Sequence, residues 1–244
     1  MSDNSGQQPI LTGPALPPVS GNKPSSLVVL LHGYGADGDD LISLAPFFAN
    51  DLTDTLFYSP HAPQPCEMGP FGRQWFSLAD YDPELMRRSP DTMVPAFEAM
   101  LAGAEASTPI LEHSIETLCR ENDIAPEKVA FVGFSQGTMM SLHLGLRRAP
   151  PPACIIGFSG ALLGADQLSS DTLGAEDLSK TPPIHLIHGD ADPVVPVEAS
   201  RTALTQLKDL GLSVSLTERP DLQHGIDPEG ANHARHALIK ALGG

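Results

Sequence analysis

Cysteine, basic side chains, tryptophan and long apolar runs are all scarce in this chain of 244 residues. The three cysteines, Cys66, Cys119 and Cys154, are far apart, odd in number and never in CxxC spacing. That excludes a disulfide framework and the common zinc sites, and predicts free buried thiols of a reducing compartment. Only 14 Lys and Arg stand against 30 Asp and Glu, a formal net charge of −16. Such a surface repels phosphate backbones and anionic lipid, so neither a nucleic acid nor a polybasic membrane dock is expected. The longest apolar runs, such as Leu27 to Leu31, fall far short of the ~20 residues that cross a bilayer, so no stable membrane insertion is expected. The stretch from Met1 to Gly21 is rich in Ser, Gly, Pro and Gln. It lacks the basic-then-apolar pattern of a secretory signal, so a cytoplasmic location is expected, with residues 1–24 as a flexible arm.

What is present is ordinary globular material, 41% apolar with a mean hydropathy of −0.06. A core of this size fits one domain, taken as 25–244. Leu27 to Leu31 is a continuous apolar run ending in His32-Gly33-Tyr34-Gly35, which predicts a strand buried on both faces followed by a Gly-rich turn. Further strands are predicted at Leu56 to Ser59, Lys128 to Phe134, Ala153 to Phe158, Ile184 to His188 and Ser213 to Thr217. Helices are predicted after Asp39, over Pro109 to Arg120, Gln136 to Arg148, Glu198 to Leu210 and Asn232 to Leu242, the last capped by Asn232. Between Pro60 and Ser107 prolines break the pattern, which predicts an irregular lid or binding segment over 60–107, with a short helix within 91–106. Alternating strands and helices imply a mostly parallel α/β sheet with helices on both faces, where ligands bind beyond the carboxyl ends of the strands.

The residues that follow each strand therefore carry the chemistry. Gly133-Phe134-Ser135-Gln136-Gly137 is GxSxG between a strand and a helix. A sharp strand-to-helix turn strains the serine backbone and brings chain segments so close that the flanking glycines can carry no side chain. After the strand ending at His188 come Asp190 and Asp192 in Gly189-Asp190-Ala191-Asp192-Pro193. Asp192 stands deeper in the loop and is preferred as the carboxylate that orients a histidine, with Asp190 as a turn cap. His224 follows the last strand. The order Ser135, Asp192, His224 is that of an α/β-hydrolase triad. Oxyanion donors are expected at the backbone N–H of Gln136, directly after the nucleophile, and of Tyr34 in the first Gly-rich turn. Trp75, Phe76 and Leu78 are candidate walls of the acyl site, although Trp75 could equally be a core plug. His233 and His236, three apart on the last helix, lack a third ligand, and no metal is expected. His185 and His188 read as structural.

Four segments together, Leu31-His32-Gly33-Tyr34-Gly35-Ala36-Asp37, Arg73-Gln74-Trp75-Phe76-Ser77, Gly133 to Gly137 and His188 to Pro196, resemble the phospholipase/carboxylesterase family, which includes the acyl-protein thioesterases. The resemblance runs from about Ser25 to Gly244. It implies the α/β-hydrolase fold and hydrolysis of a small-molecule ester or thioester, lysophospholipids included, without a cofactor. It also implies the same triad and oxyanion donors. Tyr34 stands where Leu is common in the family, and residues 80–107 make a longer segment than in the thioesterases. A homodimer is left open by analogy, as are two other outcomes: acyl transfer to an alcohol or amine through the same triad, and a non-catalytic binding protein on the same fold.

Overall fold

The computed structural model describes residues 9–79, 95–168 and 181–243. Its main sheet has seven strands in the order β1-β3-β2-β6-β7-β8-β9: β1 (Ala15–Leu16), β2 (Ser26–Leu31), β3 (Thr55–Tyr58), β6 (Val129–Phe134), β7 (Cys154–Phe158), β8 (Ile184–Gly189) and β9 (Val214–Arg219). All neighbours are parallel except β1, which runs antiparallel to β3. A separate two-stranded ribbon pairs β4 (Gln64–Pro65) with β5 (Arg73–Gln74).

Strand β2 shows why its apolar run is continuous. Leu27, Val29 and Leu31 join one core cluster, while Val28 and Leu30 join the other. Successive side chains point to opposite faces, and both faces are covered. The first layer contains α3 (Leu101–Asn122), α4 (Gln136–Arg147) and α5 (Val197–Asp209), through residues such as Leu111, Ile115, Met140 and Leu207. The second contains α1 (Gly38–Leu41), α2 (Ala45–Ala49) and α6 (Pro228–Leu242), through Leu41, Phe48, Ala234 and Leu238. The cysteines are free and buried. No helix among the described residues is long and apolar enough to cross a membrane.

The structure differs from the sequence reading in three places. Residues 9–24 are not a loose arm: Ala15 and Leu16 pair with Tyr58 and Phe57, Leu11 is buried, and the Leu11 N–H donates to Ser114 Oγ at 2.9 Å. The composition of the arm hid one apolar anchor and an edge strand. Helix α3 begins eight residues before Pro109 and carries it internally, so 101–107 are helical, not irregular. A proline reads as a first-turn residue, yet it is tolerated inside a helix that packing holds on both sides. Of the short helix expected within 91–106, residues 95–98 are helical and 91–94 lie outside the described residues. Helix α6 starts at Pro228, and its cap is Asp227, not Asn232: the Asp227 carboxylate accepts from the Gly230 N–H. Asp followed by Pro is a stronger start signal than a lone Asn.

Candidate active site

The turn between β6 and α4 is sterically over-determined. Ser135 has φ 54° and ψ −116°, a conformation that costs on the order of 1–3 kcal/mol and persists only where packing enforces it. A Cβ on Gly133 would lie 2.3 Å from the Gly137 carbonyl oxygen, and one on Gly137 only 1.8 Å from that of Leu31. These overlaps are the physical content of the GxSxG spacing. The Ser135 N–H donates to the Phe158 carbonyl at 2.8 Å, so this donor is already engaged in tying β6 to β7. The N–H of Gln136 belongs to the first residue of α4, a position with no partner inside the helix.

The loop after β2 lies over this turn, since a Cβ on Gly33 would come within 3.3 Å of Ser135 Cβ and 3.0 Å of Phe134 Cδ1. His32 is fully buried. Its Nε2 accepts from the Ala62 N–H at 3.0 Å, which leaves the proton on Nδ1, facing the Gly33 carbonyl at 2.8 Å. Burial holds its pKa below the ordinary value, and a neutral imidazole suits this bracing role.

The loop after β8 holds the candidate acid, Asp192. Asp192 Oδ1 accepts from the N–H groups of Val194 and Val195 at 2.8 and 2.9 Å, and Oδ2 lies 2.7 Å from His224 Nδ1. Burial opposes the carboxylate charge, but the hydrogen bonds from His188, His224 and Val194 outweigh it and hold the pKa well below the usual range. Asp190 is not the partner of the histidine. Its Oδ1 accepts from the Asp221 N–H at 2.7 Å, so it braces the loop that carries His224. The His224 side chain is 18% exposed and its ring packs against Phe134 at a centroid distance of 4.8 Å, beside Ser135.

Sequence reasoning read His188 only as structural and missed its contact with Asp192, and it missed the side-chain contacts of Gln136. His188 is fully buried, with Nε2 2.9 Å from the Val195 carbonyl and 3.4 Å from Asp192 Oδ2, and Nδ1 2.7 Å from Ser200 Oγ. The carbonyl partner assigns the proton to Nε2. The His four residues before the Asp was the available signal. The Gln136 side chain reaches the backbone of Trp75 and Phe76. No local pattern predicts a contact across 60 residues.

Of the three candidate acyl-site walls, Trp75 and Phe76 are 0% and 1% exposed and sit in the core cluster, with Leu78 half-buried against it. Trp75 acts as a plug: its indole N–H donates to the His32 carbonyl at 3.0 Å. Among the described residues one group could gather a metal ion, Asp37, Asp39 and His61, with donor atoms within 4.8 Å of one another. Asp37 Oδ1 already accepts from the Asp39 N–H, and His61 Nδ1 from the Gly38 N–H, so these side chains cap the first turn of α1. His233 and His236 are exposed on α6.

Comparison with known proteins identifies the family. A family model described as Phospholipase/Carboxylesterase matches residues 19–242. Acyl-protein thioesterase 1 of Gibberella zeae is 28% identical over 225 residues, covering 89% of this chain and 91% of its own. Esterase YpfH of Escherichia coli is 28% identical over 230 residues, covering 91% and 87%. The crystal structure of esterase PE8 superposes with a TM-score of 0.79 at 39% identity, covering 96% of this chain and all of that one. SOBER1 of Arabidopsis thaliana, at 21% identity and TM-score 0.63, shares the fold over 89% of this chain.

Proposed function

The chain belongs to the phospholipase/carboxylesterase family and is a carboxylic ester hydrolase, and from that premise we propose that it works through an acyl-enzyme on Ser135. One observation carries the reading: a buried, charge-stabilised Asp192 bonded to His224 at 2.7 Å, with that ring lying against the strained turn of Ser135. Asp192 fixes the proton of neutral His224 on Nδ1, which frees Nε2 as the base. Ser135 Oγ adds to the ester or thioester carbonyl, and its proton passes to His224 Nε2. The tetrahedral oxyanion is met by the N–H groups of Gln136 and Tyr34, each worth on the order of 3 kcal/mol. Collapse expels the alcohol or thiol, which takes the proton from His224. Water then adds to the acyl-enzyme with His224 again as base, releasing the acid and Ser135.

The test is hydrolysis of p-nitrophenyl esters from acetate to longer acyl chains, with matched thioesters, by wild type and Ser135→Ala. We expect turnover that is lost in the variant, and a wild-type acyl adduct on the peptide containing Ser135 by mass spectrometry. Full turnover by Ser135→Ala would remove Ser135 as nucleophile. Adding a competing alcohol or amine separates hydrolysis from acyl transfer by the products formed.

A further inference from the structure

The two expected oxyanion donors lie more than 100 residues apart in sequence, Tyr34 in the turn after β2 and Gln136 at the start of α4 after β6, and both segments are hydrogen-bonded to the same short strip, 73–76. On one side the strip grips the turn after β2. The Gly35 N–H donates to the Arg73 carbonyl at 2.9 Å and the Arg73 N–H to the Ala36 carbonyl at 2.7 Å, and the Trp75 indole N–H donates to the His32 carbonyl at 3.0 Å. The approach is close enough that a Cβ on Gly72, at φ +83°, would lie 2.0 Å from the Gly35 carbonyl oxygen. On the other side the strip grips the residue after the nucleophile. Gln136 Oε1 accepts from the Trp75 N–H at 2.8 Å and Gln136 Nε2 donates to the Phe76 carbonyl at 2.8 Å, so the side-chain amide pairs with the strip as a strand neighbour would. Ser107 Oγ donates to the Trp75 carbonyl from α3 and completes the clamp. Gln74, Trp75, Phe76 and Gln136 are all 3% exposed or less, so water does not compete for these bonds and each is correspondingly directional.

From this arrangement we infer that the Gln136 side chain is a positioning residue: it and Trp75 make the strip 73–76 the spacer that sets the distance and angle between the Tyr34 and Gln136 backbone donors. The inference rests on Ser135 as the nucleophile. Oxyanion donors act only when aimed at where charge develops, and a misplacement of about 1 Å can cost 10²-fold. A backbone N–H at the first position of a helix has no internal bond to fix it, so its direction is set by what anchors that residue. Here that anchor is the residue's own amide.

The test compares Gln136→Met, which keeps the size and the backbone donor and deletes both bonds, with Trp75→Phe, which deletes the indole bond to His32. Each is measured for kcat and KM on a p-nitrophenyl ester, for affinity to a trifluoromethyl ketone that forms an anionic adduct on serine, and for thermal midpoint. We expect kcat of Gln136→Met to fall about 10- to 100-fold with KM within about threefold, and ketone affinity to fall by the same factor as kcat. Trp75→Phe should show the same pattern at smaller amplitude. Variants that lose thermal midpoint but keep kcat and ketone affinity within twofold would overturn the inference and leave a merely structural contact. If Gln136→Met does not fold, Trp75→Phe decides on the same criterion. Retention of turnover by Ser135→Ala would instead break the nucleophile reading, whatever Gln136 does.

Discussion

The loop that carries Asp192 and the loop that carries Tyr34 solve the same problem, holding a proposed catalytic group still, by opposite means. Asp192 is fixed largely by its own neighbours: Val194 and Val195 supply the N–H groups and His188, four residues back, supplies an imidazole. The turn after β2 is fixed from far away, by Ala62, Arg73 and Trp75. The difference has a physical origin. A buried carboxylate needs several donors at once to offset its desolvation, and a tight loop can fold its own N–H groups around one atom. An oxyanion hole needs two donors from different strands aimed at an empty point, and nothing local can set that spacing. The sharpest break of the local half is Asp192→Asn. Asn can still accept from Val194 and Val195, but its NH2 would face His224 Nδ1 and favour the tautomer whose Nε2 carries the proton. We expect kcat to drop on the order of 10³- to 10⁴-fold with the fold intact by circular dichroism. A loss below tenfold would mean that His224 needs no carboxylate partner.

The same contrast explains what could be read from the amino-acid order. GxSxG, the Asp-containing turn after β8 and the histidine after β9 are short patterns whose cause is local: steric overlap at Gly133 and Gly137, donors within three residues of Asp192. The sheet was legible because a doubly buried strand is continuously apolar. The strip 73–76 was recognisable as a motif, but its role was not, because its bonds reach 61 residues to Gln136 and 43 to His32. Trp75 read as wall or plug for the same reason: apolar chemistry is identical in both, and only the burial of its indole N–H on a carbonyl decides. Residues 9–24 were misread because loop-like composition says nothing about an anchor such as Leu11, which is held by Ser114 from α3.

The acid response of stability sharpens the local half further. The folded pKa of Asp192 lies below its unfolded value, taken as about 3.9. The stabilisation is therefore fully present above pH ~4 and is lost as pH falls through the folded pKa. Asn at this position cannot ionise, so the gap in unfolding free energy between wild type and Asp192→Asn should be widest near pH 6 and shrink below pH 4. Urea midpoints of both proteins at pH 6 and pH 3.5 measure it. A gap that is unchanged or wider in acid would mean that the carboxylate is not held ionised by its neighbours.

The smallest expected effect probes the outer edge of the remote half. Glu67 gathers that edge: its carboxylate accepts from the Leu78 N–H at 2.7 Å, from Ser77 Oγ at 2.9 and 3.0 Å, from Gln74 Nε2 at 3.3 Å and from the Tyr34 hydroxyl at 3.3 Å. These donors, the Leu78 N–H foremost, hold its pKa below the usual carboxylate value despite an exposed position. It thus links the Tyr34 side chain to the strip that positions the Tyr34 backbone. Water can replace any one of these bonds, so the cost of Glu67→Gln is limited to a looser turn. Its amide also swaps one acceptor oxygen for donors that face other donors. We expect kcat/KM to fall about two- to fivefold, within the ~1 kcal/mol of an exposed polar contact, with most of the change in kcat. An effect as large as that of Gln136→Met would show that the Tyr34 turn is held from its exposed edge and not from the buried strip, which would reverse the order of importance drawn between them.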